Sequence, residues 1–277
     1  MYLNIKIIHN MRQFLILILL ISFVSCKDKT PDSTDTSDNT TPVTELKPKG
    51  ISVKSFGASE SFLDAKLFIR SYKNGKFDFD VKSESYVLGA QTPDAEQKRC
   101  ANSDQGQHIH LIVDKEPYAA KYVEEFDYEI PDGEHYILAF LSRSYHESIK
   151  TPDARIAMKA TIKDNSIVTK DAIESPMLFY SRPKGTYVGK KETDLIMLDF
   201  YLNNVNLGTE YKVIANINGE DHTIDKWEPY YIQGLPMGKN TITLTLVDAN
   251  GAAVDVPNNP VTREFELKED PAEKLNQ

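Results

Sequence analysis

The 277-residue sequence holds only 2 cysteines, Cys26 and Cys100, and a single tryptophan, Trp227. So few cysteines exclude the disulfide-dense scaffolds of small secreted domains, and the fold has to rest on a hydrophobic core. No apolar run reaches the roughly 20 residues that a helix needs to cross a bilayer. Basic residues are in the minority, 32 Lys and Arg against 41 Asp and Glu, and a net charge of −9 argues against a nucleic-acid partner. Catalytic signatures are missing as well. There is no Gly-x-Ser-x-Gly elbow, no His-Glu-x-x-His zinc helix and no Gly-rich phosphate loop. Ser142, Ser144 and His146 are close in sequence, which does not make a triad, and no carboxylate pair stands out as general acid and base. The sequence therefore reads as non-enzymatic.

The N-terminus carries the strongest signal. Lys6 and Arg12 precede an apolar stretch from Phe14 to Val24, which has the length of a signal-peptide core, and Met11 is a plausible alternative start. Val24-Ser25-Cys26 resembles the lipobox of bacterial lipoproteins, which implies that Cys26 becomes the lipid-modified first residue of the mature chain. Residues 1–25 are then the signal peptide. Residues 26–49, a tract of Thr, Asp, Ser and Pro, have too little hydrophobicity to repay ordering and read as a disordered tether. Lys27-Asp28-Lys29 partly resembles the surface-export signal of Bacteroidota lipoproteins, with Lys29 where a second acid is usual. The expected location is the outer membrane, facing either the periplasm or the cell exterior, with the membrane as partner through the N-terminal lipid.

From Gly50 onward the chain is rich in short alternating runs of Val, Ile, Thr, Tyr and Phe between Gly, Asn, Asp and Pro. Leu67 to Tyr72 and Lys76 to Val81 flank Asn74-Gly75 and read as a β-hairpin, since Asn-Gly accepts the positive φ of a tight turn. Phe77, Phe79 and Val81 alternate with Asp78 and Asp80, the pattern of a strand buried on one face.

The second half repeats the first. Leu111-Ile112-Val113-Asp114 corresponds to Ala215-Asn216-Ile217-Asn218, and Ile130-Pro131-Asp132-Gly133-Glu134-His135 to Leu235-Pro236-Met237-Gly238-Lys239-Asn240. Two units of about 110 residues, each with turn signals every 8–12 residues, predict an all-β protein of two tandem immunoglobulin-like β-sandwich domains. The expected bounds are 50–172 for the first, 173–268 for the second and 269–277 for a flexible tail.

The first unit is the histidine-rich one. In a strand, His108 and His110 share a face with Ile112 and Asp114, while Ile109, Leu111 and Val113 occupy the other. Imidazoles at i and i+2 stand roughly 6.5–7 Å apart at Cα and can converge on one divalent ion. His135, His146 and Cys100 are candidate further ligands, and the donor types suit copper or zinc. The alternatives are histidines that pack at a sheet edge, and a Cys100 that is buried or paired with another molecule. The second unit has Lys212 and Ile214 where the first has His108 and His110, so these two histidines look like an addition to the fold.

Gly106-x-His108-x-His110-Leu111-x-x-Asp114, followed by Gly133-x-His135, a strand and His146, resembles a group of bacterial secreted immunoglobulin-like domains with a Gly-His-x-His strand. Residues 50–268 are similar to a family of Bacteroidota lipoproteins without an assigned activity, some loosely labelled phosphopeptide-binding. Ser175-Pro176, Ser181-Arg182-Pro183-Lys184-Gly185 and Trp227-Glu228-Pro229-Tyr230 fit that family, but no forkhead-associated motif supports the label. A second functional expectation is an adhesin or assembly component that binds protein or glycan through exposed rings of Trp227, Tyr230 and Tyr231.

Overall fold

The computed structural model describes residues 50–59 and 61–274. Cys26, the signal peptide and the tether lie outside the described residues. In chain order the strands are β1 (Ser52–Ser55), β2 (Lys66–Lys73), β3 (Lys76–Lys82), β4 (His108–Val113), β5 (Ala119–Lys121), β6 (Glu125–Asp127), β7 (Gly133–Ser142), β8 (Arg155–Lys163) and β9 (Ser166–Asp171). They continue with β10 (Met177–Arg182), β11 (Gly185–Val188), β12 (Ile196–Asn203), β13 (Tyr211–Ile217), β14 (Glu220–Ile224), β15 (Tyr230–Gln233), β16 (Gly238–Asp248) and β17 (Val261–Lys268). A one-turn helix, α1 (Ala95–Lys98), lies between β3 and β4.

These strands make two tandem immunoglobulin-like sandwiches. In the first, the sheet β2-β3-β6 faces the sheet β5-β4-β7-β8-β9. In the second, β1-β15-β12-β10 faces β11-β17-β16-β13-β14. The β2–β3 hairpin turns at Asn74 and Gly75 with φ of 53° and 75°, as Asn-Gly at this position requires. Phe77 and Phe79 fill the first core with Ile109, Leu111, Ile137 and Leu141. Alternation sets the second core in the same way, where Val213, Ala215 and Ile217 of β13 meet Ile242, Leu244 and Leu246 of β16.

The repeat holds at the level of hydrogen bonds. The Gly89 amide donates to the Gln107 carbonyl and the Gly208 amide to the Tyr211 carbonyl, at 2.8 and 2.9 Å. Between Gly89 and Gln107 the first unit carries the extra segment that includes α1 and Cys100.

One strand departs from the expected bounds. Although Ser52–Ser55 precedes the first sandwich in sequence, β1 runs antiparallel to β15 and extends a sheet of the second. Two smaller apolar clusters join the sandwiches. Ile112, Leu138 and Phe140 pack with Met177, Phe179 and Tyr201, and Phe56, Cys100 and Tyr145 pack with Met197.

Candidate metal centre

All six residues of β4 are buried. Ile109, Leu111 and Val113 face the first core, as their alternation predicts, whereas Ile112 on the histidine face packs into the junction with the second sandwich. The histidine face is therefore an interior surface, and His108 and His110 are both 0 % exposed.

Local backbone features aim the rings. Gly106 has a φ of +82°, and a Cβ there would come within 2.3 Å of the Gly89 carbonyl oxygen, so no other residue fits. Its own carbonyl lies 2.8 Å from His108 Nδ1. His146 comes from the connection after β7, whose Ser142 stands opposite His108 in the ladder. That connection turns back through Arg143 N–H to Glu147 O at 2.9 Å and His146 N–H to Arg143 O at 2.8 Å, and His146 adopts the left-handed region at φ 70°. The turn brings its ring over β4.

Three ring nitrogens converge as a result. His108 Nε2 is 2.8 Å from His110 Nε2 and 3.0 Å from His146 Nδ1, and the three ligating atoms all lie within 4.8 Å of one another. A carbonyl only accepts, so His108 Nδ1 carries the proton and Nε2 presents its lone pair to the other two rings. This is the arrangement by which metal-binding histidines fix their tautomer. One electrophile placed among the three nitrogens would engage all of them. Nitrogens about 2.0 Å from a tetrahedral zinc lie about 3.3 Å apart, so metal binding requires the two close contacts to widen by a few tenths of an ångström and the longer His110–His146 separation, within 4.8 Å, to close.

The surroundings keep the rings neutral. Burial lowers the His108 pKa to about 4, against the raising effect of the Gly106 bond, and Arg182 and Lys184 lower it further. Burial likewise holds His110 and His146 well below the ordinary imidazole value, with the positive groups nearby adding to it. Neutral imidazole is the metal-binding form. Tyr118 stacks on His110 with centroids 3.7 Å apart and planes 9° from parallel, and its hydroxyl is 3.3 Å from His146 Nδ1. Tyr122 packs on His108 at 4.9 Å. From the second sandwich, Ser181 Oγ is 3.3 Å from His110 Nδ1, and Arg182 donates to the Tyr118 and Tyr187 hydroxyls at 3.1 and 2.8 Å.

Of the five ligands expected from sequence, the structure brings three together. His135 is elsewhere: its Nδ1 donates to Asp114 Oδ2 at 2.7 Å and its Nε2 sits 2.9 Å from the Pro131 carbonyl, at the turn into β7. Cys100 is buried with Phe56, Tyr145 and Met197, and burial pushes its thiol pKa up to about 12, so it offers no thiolate to the cluster.

The expected aromatic surface of the second domain is reduced, with Trp227 and Tyr231 half-buried and Tyr230 buried. The Trp227 indole donates to the Phe200 carbonyl at 3.0 Å and meets Tyr201 edge-on at 5.0 Å. Tyr230 is 9 % exposed, and the Tyr231 ring lies 4.4 Å from Phe56. Tyr230 and Tyr231 lie on β15, which pairs with β1, and Phe56 just after β1 packs on Tyr231.

Sequence reasoning missed Tyr118 and Tyr122 as neighbours of the histidines, and saw Ser181, Arg182 and Lys184 only within a family motif. Tyr118 and Tyr122 flank β5, which pairs with β4, whereas the other three come across the junction from the second sandwich, and no spacing rule joins the two stretches.

No protein-family model matches the chain, and no curated protein aligns with it significantly. Among solved structures it is similar to fibronectin(III)-like modules of CbhA from Clostridium thermocellum, at 16 % identity and a TM-score of 0.26, covering 34 % of this chain and 98 % of that one. It is also similar to the extracellular domain of a hybrid two-component system from B. thetaiotaomicron, at 11 % identity and a TM-score of 0.26, with 74 % of this chain against 38 % of that one. A third similarity is to a Ca2+-stabilised adhesin with which an Antarctic bacterium binds ice, at 11 % identity and a TM-score of 0.23, with 74 % of this chain against 49 % of that one. The chain thus spans less than half of the latter two. Among the described residues, no helix is long and apolar enough to cross a membrane.

Proposed function

We propose that this chain is a non-enzymatic lipoprotein of the bacterial outer membrane, anchored through Cys26 and facing the periplasm or the cell exterior, whose first sandwich binds a copper or zinc ion through His108, His110 and His146. The observation that carries the metal reading is the convergence of three neutral imidazoles, two buried and that of His146 half-buried, with contacts of 2.8 and 3.0 Å around one lone pair. The lipobox-like Val24-Ser25-Cys26 supports the anchor, and the similarity of residues 50–268 to Bacteroidota lipoproteins supports the envelope setting. Burial supports a non-catalytic role. Ser181, the hydroxyl beside His110, is 1 % exposed, where no substrate can approach it. With Tyr230 buried and Trp227 and Tyr231 half-buried, the adhesin reading rests on a smaller aromatic surface than the sequence suggests.

The test uses residues 46–277, a compact unit that holds all the described sheets and cores. Metal-free protein is expected to take up one equivalent of copper or zinc. A His108→Ala, His110→Ala variant of matched thermal stability is expected to take up none. Metal uptake by that variant equal to the parent's would overturn the assignment.

A further inference from the structure

Resting on the metal reading, we infer that the three-histidine site is built for a monovalent ion, cuprous copper, in preference to a divalent one. The donor set supplies no negative charge. Among the described residues that could hold a metal, only the three imidazoles converge. Asp114, Asp199 and Glu147 have partners of their own: Asp114 binds His135 and the Tyr136 amide, Asp199 binds Lys150 and the Ser148 amide, and Glu147 binds Ser59.

The charged side chains beside the site are positive at pH 7, although burial and Arg182 lower the Lys184 pKa to about 8. The charged side chains acting on His108 and His146 are Arg182 and Lys184. Arg182 is 5 % exposed and its guanidinium is held by two phenols, not by a carboxylate. Lys184 Nζ donates to the Tyr118 carbonyl at 2.6 Å and lies 3.9 Å from the centre of the Tyr118 ring, the same ring that stacks on His110. Tyr118 is therefore sandwiched between an ammonium group and a metal ligand.

An ion bound by neutral imidazoles keeps its full charge. In a buried site that charge is repelled by both neighbours, and the repulsion doubles from a monovalent to a divalent ion. Zinc would also need a fourth ligand, usually water, where Tyr118 and Tyr122 cover the rings. A d10 cuprous ion is satisfied by three nitrogens and carries half the charge.

The experiment titrates metal-free residues 46–277 at pH 7 under anaerobic, reducing conditions. Copper(I) and zinc(II) are each added against a chromophoric competitor, to the parent and to His110→Ala, Lys184→Gln and Lys184→Met. The parent is expected to bind one copper(I) per chain and to lose it in His110→Ala. Removing the lysine charge should strengthen copper(I) binding about fivefold and zinc binding by the square of that factor, about twenty-five-fold, so that the preference for copper narrows. Zinc binding as tight as copper(I) in the parent, or equal gains for both ions in the lysine variants, would overturn the inference while leaving the metal site standing. Uptake of neither ion by the parent would overturn the metal reading, and this inference with it.

Discussion

Asp114 and His135 form one half of a device that occurs twice. In the first sandwich Asp114, at φ 52°, accepts from the Tyr136 amide at 2.8 Å while His135 bridges it to the Pro131 carbonyl. In the second, Asn218 at φ 50° accepts from the Thr241 amide at 2.9 Å and donates at 2.7 Å to Asn240, which reaches the Pro236 carbonyl at 2.9 Å. Both pairs tie the end of one strand to the turn before the next. His135 is thus a turn lock whose counterpart is an asparagine. His135→Asn is expected to leave thermal stability near the parent value, whereas His135→Ala should cost about 1 kcal/mol. Metal uptake should be unchanged in both, and its loss in His135→Asn would return that residue to the ligand set. The alignment of the two halves pairs His135 with Asn240, so a framework role was legible in the sequence. It was outweighed by the number of histidines nearby. For His108 and His110 the same comparison gives Lys212 and Ile214 as counterparts, neither of which carries an imidazole.

At the scale of elements, what was legible was local. The Asn74-Gly75 hairpin, the alternation of Phe77 and Phe79, and the two-face character of β4 come from spacing alone. β1 could not be read this way, because a four-residue strand gains its partner, β15, only through a pairing across about 180 positions of chain, about which its own residues say nothing. The pairing matters because it places Phe56, the next residue along the chain. The Phe56 amide donates to the Pro229 carbonyl at 2.9 Å, and its ring, 5 % exposed, packs on Tyr231 of the second sandwich and on Tyr145 of the first, with Lys98 Nζ 4.7 Å above it. The additional segment containing α1 thereby gains a floor to rest on. Phe56→Ala removes that floor and should cost about 3–5 kcal/mol, the usual range for a buried phenylalanine, measured by denaturant unfolding. A loss under about 1 kcal/mol would mean that β1 and its phenylalanine are dispensable edge structure.

Across the whole molecule, the two sandwiches share their least soluble surfaces. Asp199 of the second is 0 % exposed and accepts from the Ser148 amide and Lys150 Nζ of the first at 2.8 and 2.9 Å, donors that replace water around a buried charge while the junction is closed. The histidine cluster lies in the same junction, with ligands from the first sandwich and Ser181, Arg182 and Lys184 from the second. Cys100 reports on this arrangement. Its thiol is buried between the sandwiches, and burial raises its pKa to about 12. The folded state therefore disfavours the thiolate: this contribution to stability is complete below the unfolded thiol pKa near 8.5 and is lost as pH rises from there towards 12. At pH 8 native residues 46–277 should react with an alkylating reagent far more slowly than a free thiol, since the reactive form is the thiolate, which burial disfavours. Asp199→Ala, which leaves Lys150 without its partner, should cost about 3–5 kcal/mol and speed the alkylation of Cys100 accordingly. If Cys100 were instead alkylated at the rate of a free thiol in the parent, the junction would be open in solution, and a metal site assembled within it would have to form by closure of two separately moving domains.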